Sequence, residues 1–456
     1  MEETAEFVSN AGEDSASVAA VTMDVDNGLI EDDKSKDAEV APALIAVHPF
    51  EKSVAVAVGF ELRLFDLEGN CSVSLVDDSG GPSHSDAIRA IKFGANGRLF
   101  ASAGDDKLVK IWATNPWHCI RTVSAEKRVS AVAISHNGHY VAFADKFGLV
   151  WLIGLEGDNA KQSNNDKKAV MILGHYCSII TRLEFSPDDR FIASADRDFK
   201  IRVTVFPKQS LKGAHEIQSF CLGHTDFVSC LAFAYPSGCA NGYLLSGSGD
   251  STVRLWDFIS GVLLATCEVG AKVGSLEPNG TEDAQSPISD LCASSDGSII
   301  AVALQYSNRV ALLSCDFSNG NLSVAKVVTL EENYFPTSLG SSSLSKCLWM
   351  VMGASNLPMP GSAQLPTRLR IISGLRKDPS DYHCHDPIIL EDNEVPGGQK
   401  LLSELQGSLD VTKEEAALAA AAAAVKASMR NMMIKKEYTL ERREMRKKNR
   451  NDRKIK

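Results

Sequence analysis

The sequence contains residue types that build nucleophilic catalytic sites, but in a pattern that repeats along the chain. His224 in Leu-Gly-His, Asp250 in a predicted tight turn and a strand hydroxyl of Ser246 or Ser248 supply a base, a carboxylate and a nucleophile. The same types recur once per repeat, whereas an active site has no reason to repeat. We therefore interpret them as a buried hydrogen-bond network covered by Trp256, in which each polar group needs a partner.

The repeat itself is an aspartate followed six positions later by a tryptophan that closes an apolar alternation. It occurs at Asp106–Trp112, Asp145–Trp151 and Asp250–Trp256, while Asp198–Thr204 keeps the aspartate and loses the tryptophan. Self-similarity at about 40–45 residues, with Gly-His early and Trp-Asp late, is typical of four-stranded propeller blades. The sequence predicts an all-β, seven-bladed WD-repeat β-propeller over residues 41–375. The predicted structural blade network comprises Asp106, Trp112, Asp145, Trp151, His224, Asp250 and Trp256.

Two other motifs resemble ligand-binding sites but lack the surroundings that such sites need. Gly247-Ser248-Gly249 resembles a phosphate-binding loop, but it lies between two strands and no helix N-terminus follows. His383-Cys384-His385 contains metal-ligand types without a second ligand pair at a suitable distance, which favours a surface loop. The sequence therefore predicts no catalytic, cofactor or metal site in this chain.

Charge is distributed unevenly over the 456 residues, whose formal net charge is −11. Residues 1–40 hold twelve acidic side chains and two lysines, and we expect this segment to be disordered. Residues 376–411 are predicted to be a linker, and residues 412–456 an alanine-rich helix that ends in a basic tail. The longest apolar run, Ala416–Val425, is too short for a bilayer of about 30 Å. Eleven cysteines without framework spacing favour reduced thiols in a cytosolic or nuclear protein.

The fourth blade carries cations where a buried strand is expected. Alternation puts Lys200, Arg202 and Thr204 on one face of its third strand and apolar residues on the other. Two interpretations remain open at this point. The cations pair internally with acids of the same blade (Asp188, Asp189, Asp196 or Asp198), or Arg202 is offered to a carboxylate of another protein.

Four runs of sequence carry a family resemblance. They are Ser186–Phe191 (SPDDRF), Ala195–Asp198 (ADRD), Lys200–Val203 (KIRV) and Ser219–Thr225 (SFCLGHT). Together they resemble the WD-repeat non-catalytic subunit of the tRNA (guanine-N7)-methyltransferase complex, whereas ordinary WD repeats share only the SPD and GH parts. The close resemblance covers about fifty residues, and blades two to five fit more loosely.

This resemblance implies a propeller that binds side-on to a separate methyltransferase, in a heterodimer. The partner brings the S-adenosylmethionine chemistry that forms N7-methylguanosine in the tRNA variable loop, so this chain is expected to be non-enzymatic and to need no cofactor. The position matching Arg202 is an interface residue in the family, and Asp198 and Lys200 match neighbouring interface positions. Phe199 departs from the charged residue expected there.

In the light of this resemblance, we expect the basic tail to contact tRNA phosphates. Lysine and arginine clusters give sequence-independent, salt-sensitive affinity, and nuclear-import signals have the same composition. We therefore expect RNA contact, a nuclear location, or both. The candidate RNA-binding residues are Arg442, Arg443, Arg446, Lys447, Lys448 and Arg450. Two alternative classes are a general WD-repeat adaptor, such as a ubiquitin-ligase substrate receptor or chromatin-binding scaffold, and a propeller enzyme active by itself.

Overall fold

Seven four-stranded antiparallel sheets form the propeller, and the predicted seven-bladed architecture is confirmed. The innermost strands of successive sheets contact one another, and those of the first and last sheets do as well, so the ring is closed. The computed structural model describes residues 41–75, 83–155, 169–175, 178–207, 213–214, 216–239, 241–274, 286–294, 296–305, 307–330, 334–343, 347–353, 367–375 and 386–406.

Each blade is built from four consecutive strands. Blades one and two contain β1 (Leu44–Val47), β2 (Ser53–Val58), β3 (Glu61–Asp66), β4 (Cys71–Ser72), β5 (Ile88–Gly94), β6 (Leu99–Gly104), β7 (Leu108–Thr114) and β8 (Trp117–Ser124). Blades three and four contain β9 (Val129–Ile134), β10 (Tyr140–Asp145), β11 (Leu149–Gly154), β12 (Val170–Gly174), β13 (Ile180–Phe185), β14 (Phe191–Asp196), β15 (Lys200–Val205) and β16 (Ile217–Leu222). Blades five and six contain β17 (Val228–Ala234), β18 (Tyr243–Ser248), β19 (Thr252–Asp257), β20 (Val262–Glu268), β21 (Ile288–Ala293), β22 (Ile300–Leu304), β23 (Arg309–Asp316) and β24 (Asn321–Thr329). Blade seven contains β25 (Ser338–Ser341), β26 (Cys347–Gly353), β27 (Thr367–Ser373) and β28 (Ile388–Ile389). Helix α1 (Val269–Gly274) follows blade five, and helix α2 (Gly398–Gln406) follows blade seven.

The second strands form the centre of each sandwich between neighbouring blades. Every residue of β2 and of β14 is buried, because adjacent blades cover both faces. The sequences SVAVAV and FIASAD suit this position, since β-branched and small residues pack on a sheet that is covered on both sides. The outer strands are different, and β8, β16 and β20 each leave several side chains exposed.

A β-bulge near the start of several inner strands joins one blade to the next. The bulged residues Ser130 and Thr181 donate their hydroxyls to carbonyl oxygens of the following blade, Ile180 O at 2.7 Å and Val228 O at 2.5 Å. Each hydroxyl also contacts a carbonyl oxygen of its own blade. The bulge thus aims a short side chain across the seam between blades.

The seam between blades seven and one closes without an exchanged strand in the described residues, since β1–β4 and β25–β28 form separate sheets. Main-chain and side-chain hydrogen bonds join the two blades instead. The amide of Ala43 donates to Gly353 O at 2.9 Å, and the hydroxyl of Thr337 donates to Ala43 O at 2.8 Å. Thr337 therefore does at the ring closure what Ser130 does between blades three and four and Thr181 does between blades four and five.

Helix α2 lies across this closing seam, in the interval 376–411 for which the sequence predicts only a linker. Its side chains Leu401, Leu402 and Leu405 are buried in one cluster with residues of blades one and seven, including Phe65 and Ile371. The interval also supplies β28, the outer strand of blade seven. Nine residues are too short to show a helical period clearly, so only packing against the propeller reveals this helix.

The predicted acidic segment 1–40 and the predicted helix and tail 412–456 lie outside the described residues. Within the part of the chain that the structure covers, no helix is long and apolar enough to span a membrane.

Candidate partner-binding site on blade four

The network around His224 is complete and closed in blade five. Nδ1 of His224 lies 2.8 Å from Asp250 Oδ2, Nε2 lies 2.7 Å from Ser246 Oγ, and Trp256 Nε1 donates to Ser246 Oγ at 2.8 Å. Ser246 and Trp256 are fully buried. The hydroxyl therefore has no access to a substrate, and the network holds the blade together instead of acting as a nucleophilic triad.

The charges within this network follow from burial and hydrogen bonding. Burial by itself would raise the pKa of Asp250, but hydrogen bonds from His224, Thr252 and the Thr225 amide outweigh it and hold that pKa well below its usual range. Burial lowers the pKa of His224 despite the nearby carboxylate. A neutral imidazole thus donates a hydrogen bond from Nδ1 to an ionised Asp250 and accepts one at Nε2 from the Ser246 hydroxyl.

Blade two repeats the network with a histidine that the sequence repeat did not single out. Nδ1 of His84 lies 2.8 Å from Asp106 Oδ2, and Nε2 lies 2.8 Å from Ser102 Oγ, to which Trp112 also donates at 3.2 Å. The available signal was the histidine itself, and it was obscured because Ser83 stands where blades four and five have Gly174 and Gly223.

Blade four uses a different aspartate from the one that the repeat predicts. His175 contacts Asp196 at 2.9 Å and Ser194 at 2.8 Å, so the aspartate at the end of β14 takes the role expected of Asp198. The pair Gly174-His175 ahead of Asp196 carried this signal in the sequence. Asp198 lies half-buried in the turn that leads into β15.

Blade three departs from the repeat by a shift of two residues. Trp151 donates to Asp145 at 3.0 Å, whereas Trp112 and Trp256 donate to a strand serine. Trp151 pairs with Phe143, while Trp112 pairs with Phe100, two residues further from the turn. Ile153, not Trp151, occupies the strand position that corresponds to Trp112. The six-residue spacing is the same in both blades, and only the pairing register separates them.

Strand β15 has the alternation that the sequence predicts. Ile201 and Val203 are fully buried on one face, while on the other Lys200 is exposed, Arg202 is half-buried and Thr204 is buried. Arg202 donates from Nη1 to Gly174 O at 3.0 Å and from Nε to Thr204 Oγ1 at 3.2 Å. The basic face of this strand therefore turns toward blade three and opens outward at Lys200.

Three of the four acids suggested as internal partners bind other groups. Asp188 pairs with Arg190 at 2.5 Å, and Asp189 accepts the main-chain amides of His136 and Asn137 in blade three at 2.7 and 2.8 Å. Asp196 is held by His175. Its Oδ1 also accepts the main-chain amide of Lys200 at 3.0 Å, so these contacts join blade four to itself and to its neighbour.

A cation at the Arg202 position is common to five blades of this propeller. The strand register places Arg63, Lys110, Arg254 and Arg370 at the equivalent position of β3, β7, β19 and β27. Arg370, for example, pairs with Asp392 at 2.7 Å. An arginine here is therefore a recurrent feature of the ring, and the character of a binding surface depends on what surrounds it.

The central channel, which an adaptor would use, is crossed by ion pairs. Lys92 of blade two pairs with Glu184 of blade four at 2.5 Å, and Arg182 of blade four pairs with Asp290 of blade six at 3.2 Å. Asp290 also accepts from Ser338 of blade seven at 3.0 Å. A cavity of about 540 Å³ remains among these groups. Its charged side chains already satisfy one another across the channel.

Comparisons with known proteins agree with the sequence resemblance. Residues 155–364 match the family model described as the tRNA methyltransferase TRM82 WD40 domain, and residues 80–113 match the WD domain, G-beta repeat. A Xenopus laevis protein named "tRNA (guanine-N(7)-)-methyltransferase non-catalytic subunit wdr4" is 30% identical over 345 residues, which cover 73% of this chain and 81% of that protein. The chain belongs to this family of non-catalytic subunits.

Other relatives carry the same name over shorter stretches. The Dictyostelium discoideum subunit is 30% identical over 251 residues, covering 52% of this chain and 51% of that protein, and the Mus musculus subunit is 37% identical over 194 residues, covering 42% and 43%. The chain thus spans about half the length, or less, of these curated relatives. Among solved structures, U3-55K superposes with a TM-score of 0.55 at 19% identity over 68% of this chain and 88% of that chain, which supports the fold alone.

The predicted tail residues Arg442, Arg443, Arg446, Lys447, Lys448 and Arg450 lie outside the described residues, as does the His383-Cys384-His385 motif. Of the predicted partner-binding residues, the structure brings Asp198, Lys200 and Arg202 together at one end of the third strand of blade four. The three residues predicted to bind a partner therefore lie close to one another on blade four.

Proposed function

We propose that this chain is the non-catalytic subunit that binds and stabilises a separate S-adenosylmethionine-dependent methyltransferase, and that the complex forms N7-methylguanosine in the variable loop of tRNA. The observation that carries the proposal is family membership, since the relatives are named as non-catalytic subunits of this enzyme. The buried state of Ser246 supports it, because the triad-like residues of blade five are closed to substrate.

The catalytic subunit is proposed to dock side-on at blade four, in a heterodimer, through Asp198, Lys200 and Arg202. The exposed ammonium of Lys200 and the half-buried guanidinium of Arg202 form a basic surface suited to carboxylates of a partner. A guanidinium already held by Gly174 O and Thr204 is pre-oriented, which lowers the entropic cost of binding.

The basic tail is proposed to contact tRNA phosphates and to direct the protein to the nucleus. Its charge of +9 over residues 426–456 supports both roles. In the sequence, the tail lies C-terminal to helix α2, which packs on the seam between blades one and seven.

A reconstituted methylation assay tests the proposed function. The purified catalytic subunit is incubated with tRNA and S-adenosylmethionine alone, with this chain, and with an unrelated seven-bladed propeller. Methylation of the variable-loop guanosine is expected only with this chain, and none is expected from this chain by itself. Equal activity of the catalytic subunit in the absence of this chain would overturn the proposal.

A further inference from the structure

The outer strand of blade four exposes large apolar side chains beside the cations of β15. Phe220 is 44% exposed and Leu222 is 59% exposed. In the strand register Leu222 lies directly opposite Lys200, and Phe220 lies directly opposite Arg202. Because residues directly opposite in an antiparallel pair point to the same face, two cations and two large apolar groups share one surface.

The opposite face of the same strands is packed away. Ile201, Val203 and Cys221 belong to a buried cluster with residues of blade five. The face with Phe220 and Leu222 instead looks toward the outer part of blade three, where Arg202 donates to Gly174 O at the end of β12. We call Lys200, Arg202, Phe220 and Leu222 the blade-four patch.

The fold itself does not require apolar residues at these outer positions. In blade two, Thr122 lies opposite Lys110, and in blade five, Thr266 lies opposite Arg254. The position equivalent to Leu222 is occupied in blade five by Glu268. Blades two and five therefore place small or polar residues where blade four exposes phenylalanine and leucine beside its cations. Exposed apolar groups gathered on one surface indicate a binding site more than single ones do.

We infer that the catalytic subunit docks on the blade-four patch. The patch binds a segment of that subunit in which a carboxylate is flanked by apolar side chains. This inference rests on the proposed function and adds Phe220 and Leu222 to the interface. The carboxylate meets Lys200 and Arg202, while the flanking groups cover the ring of Phe220 and the side chain of Leu222. Excluding water around a charged pair in this way strengthens the pair and slows dissociation.

The test replaces the apolar pair with the residues that blade five carries at the same positions, as Phe220→Thr together with Leu222→Glu. Dissociation constants for the purified catalytic subunit are measured by biolayer interferometry with the full-length chain. The double variant is expected to bind at least about tenfold more weakly, mainly through faster dissociation. Its thermal unfolding midpoint is expected to match that of the unchanged protein, because blade five tolerates both residues.

The matched control is Val262→Thr with Leu264→Glu, which removes two exposed apolar side chains from the outer strand of blade five. The control is expected to retain unchanged affinity. Wild-type affinity of the patch variant, or equal weakening by both variants, would overturn the inference and leave the proposed function standing. If the unchanged chain does not bind the catalytic subunit at all, the proposed function itself fails. Should Leu222→Glu prevent folding, Phe220→Thr alone decides.

Discussion

The guanidinium of Arg63 in blade one donates to the carbonyl oxygen of Leu405, 342 residues later, at 3.0 Å. The hydroxyl of Thr367 in blade seven donates to the same oxygen at 2.8 Å. One carbonyl near the end of helix α2 therefore receives a donor from each of the two blades that meet at the closure. Since these blades exchange no strand among those described, the helix acts as a clasp on the ring.

Weakening this clasp is expected to destabilise the whole propeller. Leu401→Ala removes a fully buried side chain from the cluster shared by blades one and seven, at an expected cost of about 2–5 kcal/mol in the free energy of unfolding. The neighbouring exposed change Lys400→Ala should leave that free energy nearly unchanged. Urea unfolding followed by tryptophan fluorescence measures the free energy of unfolding of both variants. Equal midpoints would contradict a stabilising role of helix α2.

Arg202 of blade four is expected to bind the partner, whereas Arg254, its counterpart in blade five, is not. Arg202→Gln should weaken binding of the catalytic subunit by about 2 kcal/mol or more, because a carboxylate of the partner is left without its cation. Arg254→Gln removes the cation from the same strand position of blade five and should leave affinity unchanged. Isothermal titration calorimetry compares them, and an unaffected Arg202→Gln variant would rule out the blade-four docking site.

Acidification is expected to destabilise the fold through His224. Burial holds the folded pKa of His224 below its usual value of 6.5, so below about pH 6.5 the unfolded chain takes up a proton that the folded chain does not. Stability should therefore fall as pH drops from about 7 toward 5. His224→Gln should start with a lower unfolding midpoint but show a shallower decline, measured by scanning calorimetry. A variant whose decline is as steep as that of the unchanged protein would exclude His224 as a source.

Phe199 occupies a turn position with a left-handed backbone, φ +70°, which bulky side chains adopt at a cost. Lys107 and Ser251 take the same conformation at the equivalent turns of blades two and five. Phe199→Asn should raise the free energy of unfolding by about 0.5–1 kcal/mol, because asparagine tolerates this conformation. Phe147→Asn removes an exposed phenylalanine from the corresponding turn of blade three and should bring no such gain. Chemical denaturation compares the two variants with the unchanged protein. A loss of stability in Phe199→Asn would show that the phenyl ring of Phe199 contributes more to stability than its left-handed backbone costs.

Deleting residues 442–456 is expected to weaken tRNA binding in a salt-dependent way. The logarithm of affinity falls linearly with the logarithm of salt concentration, and for duplex regions this slope becomes shallower by about one for every phosphate that the shortened chain no longer neutralises. Filter binding of tRNA to the complex at several salt concentrations gives the slope for both proteins. A truncated chain with the full-length slope would mean that these residues do not touch phosphate.

Features that depend on neighbours along the chain were predictable from the amino-acid sequence. Repeated aspartate–tryptophan spacing indicated the blades, and the alternation of β15 placed Lys200 and Arg202 on one face, as observed. The pairing of His224 with Asp250 and a strand hydroxyl was likewise predictable, because the residue types recur with the repeat. Patterns of period two and tight turns are local, so a single strand is enough to express them.

Which distant residues meet was set by the packing of whole blades against one another. That packing assigned Asp196 to His175, moved Trp151 two positions out of register, and set Leu222 opposite Lys200. It also folded Gly398–Gln406 onto the seam of the ring. A register shift or a short helix changes the local conformational preferences of the chain very little, so the sequence pattern predicts neither of them. Tertiary contacts determine them, because a buried strand must match its partner on each side.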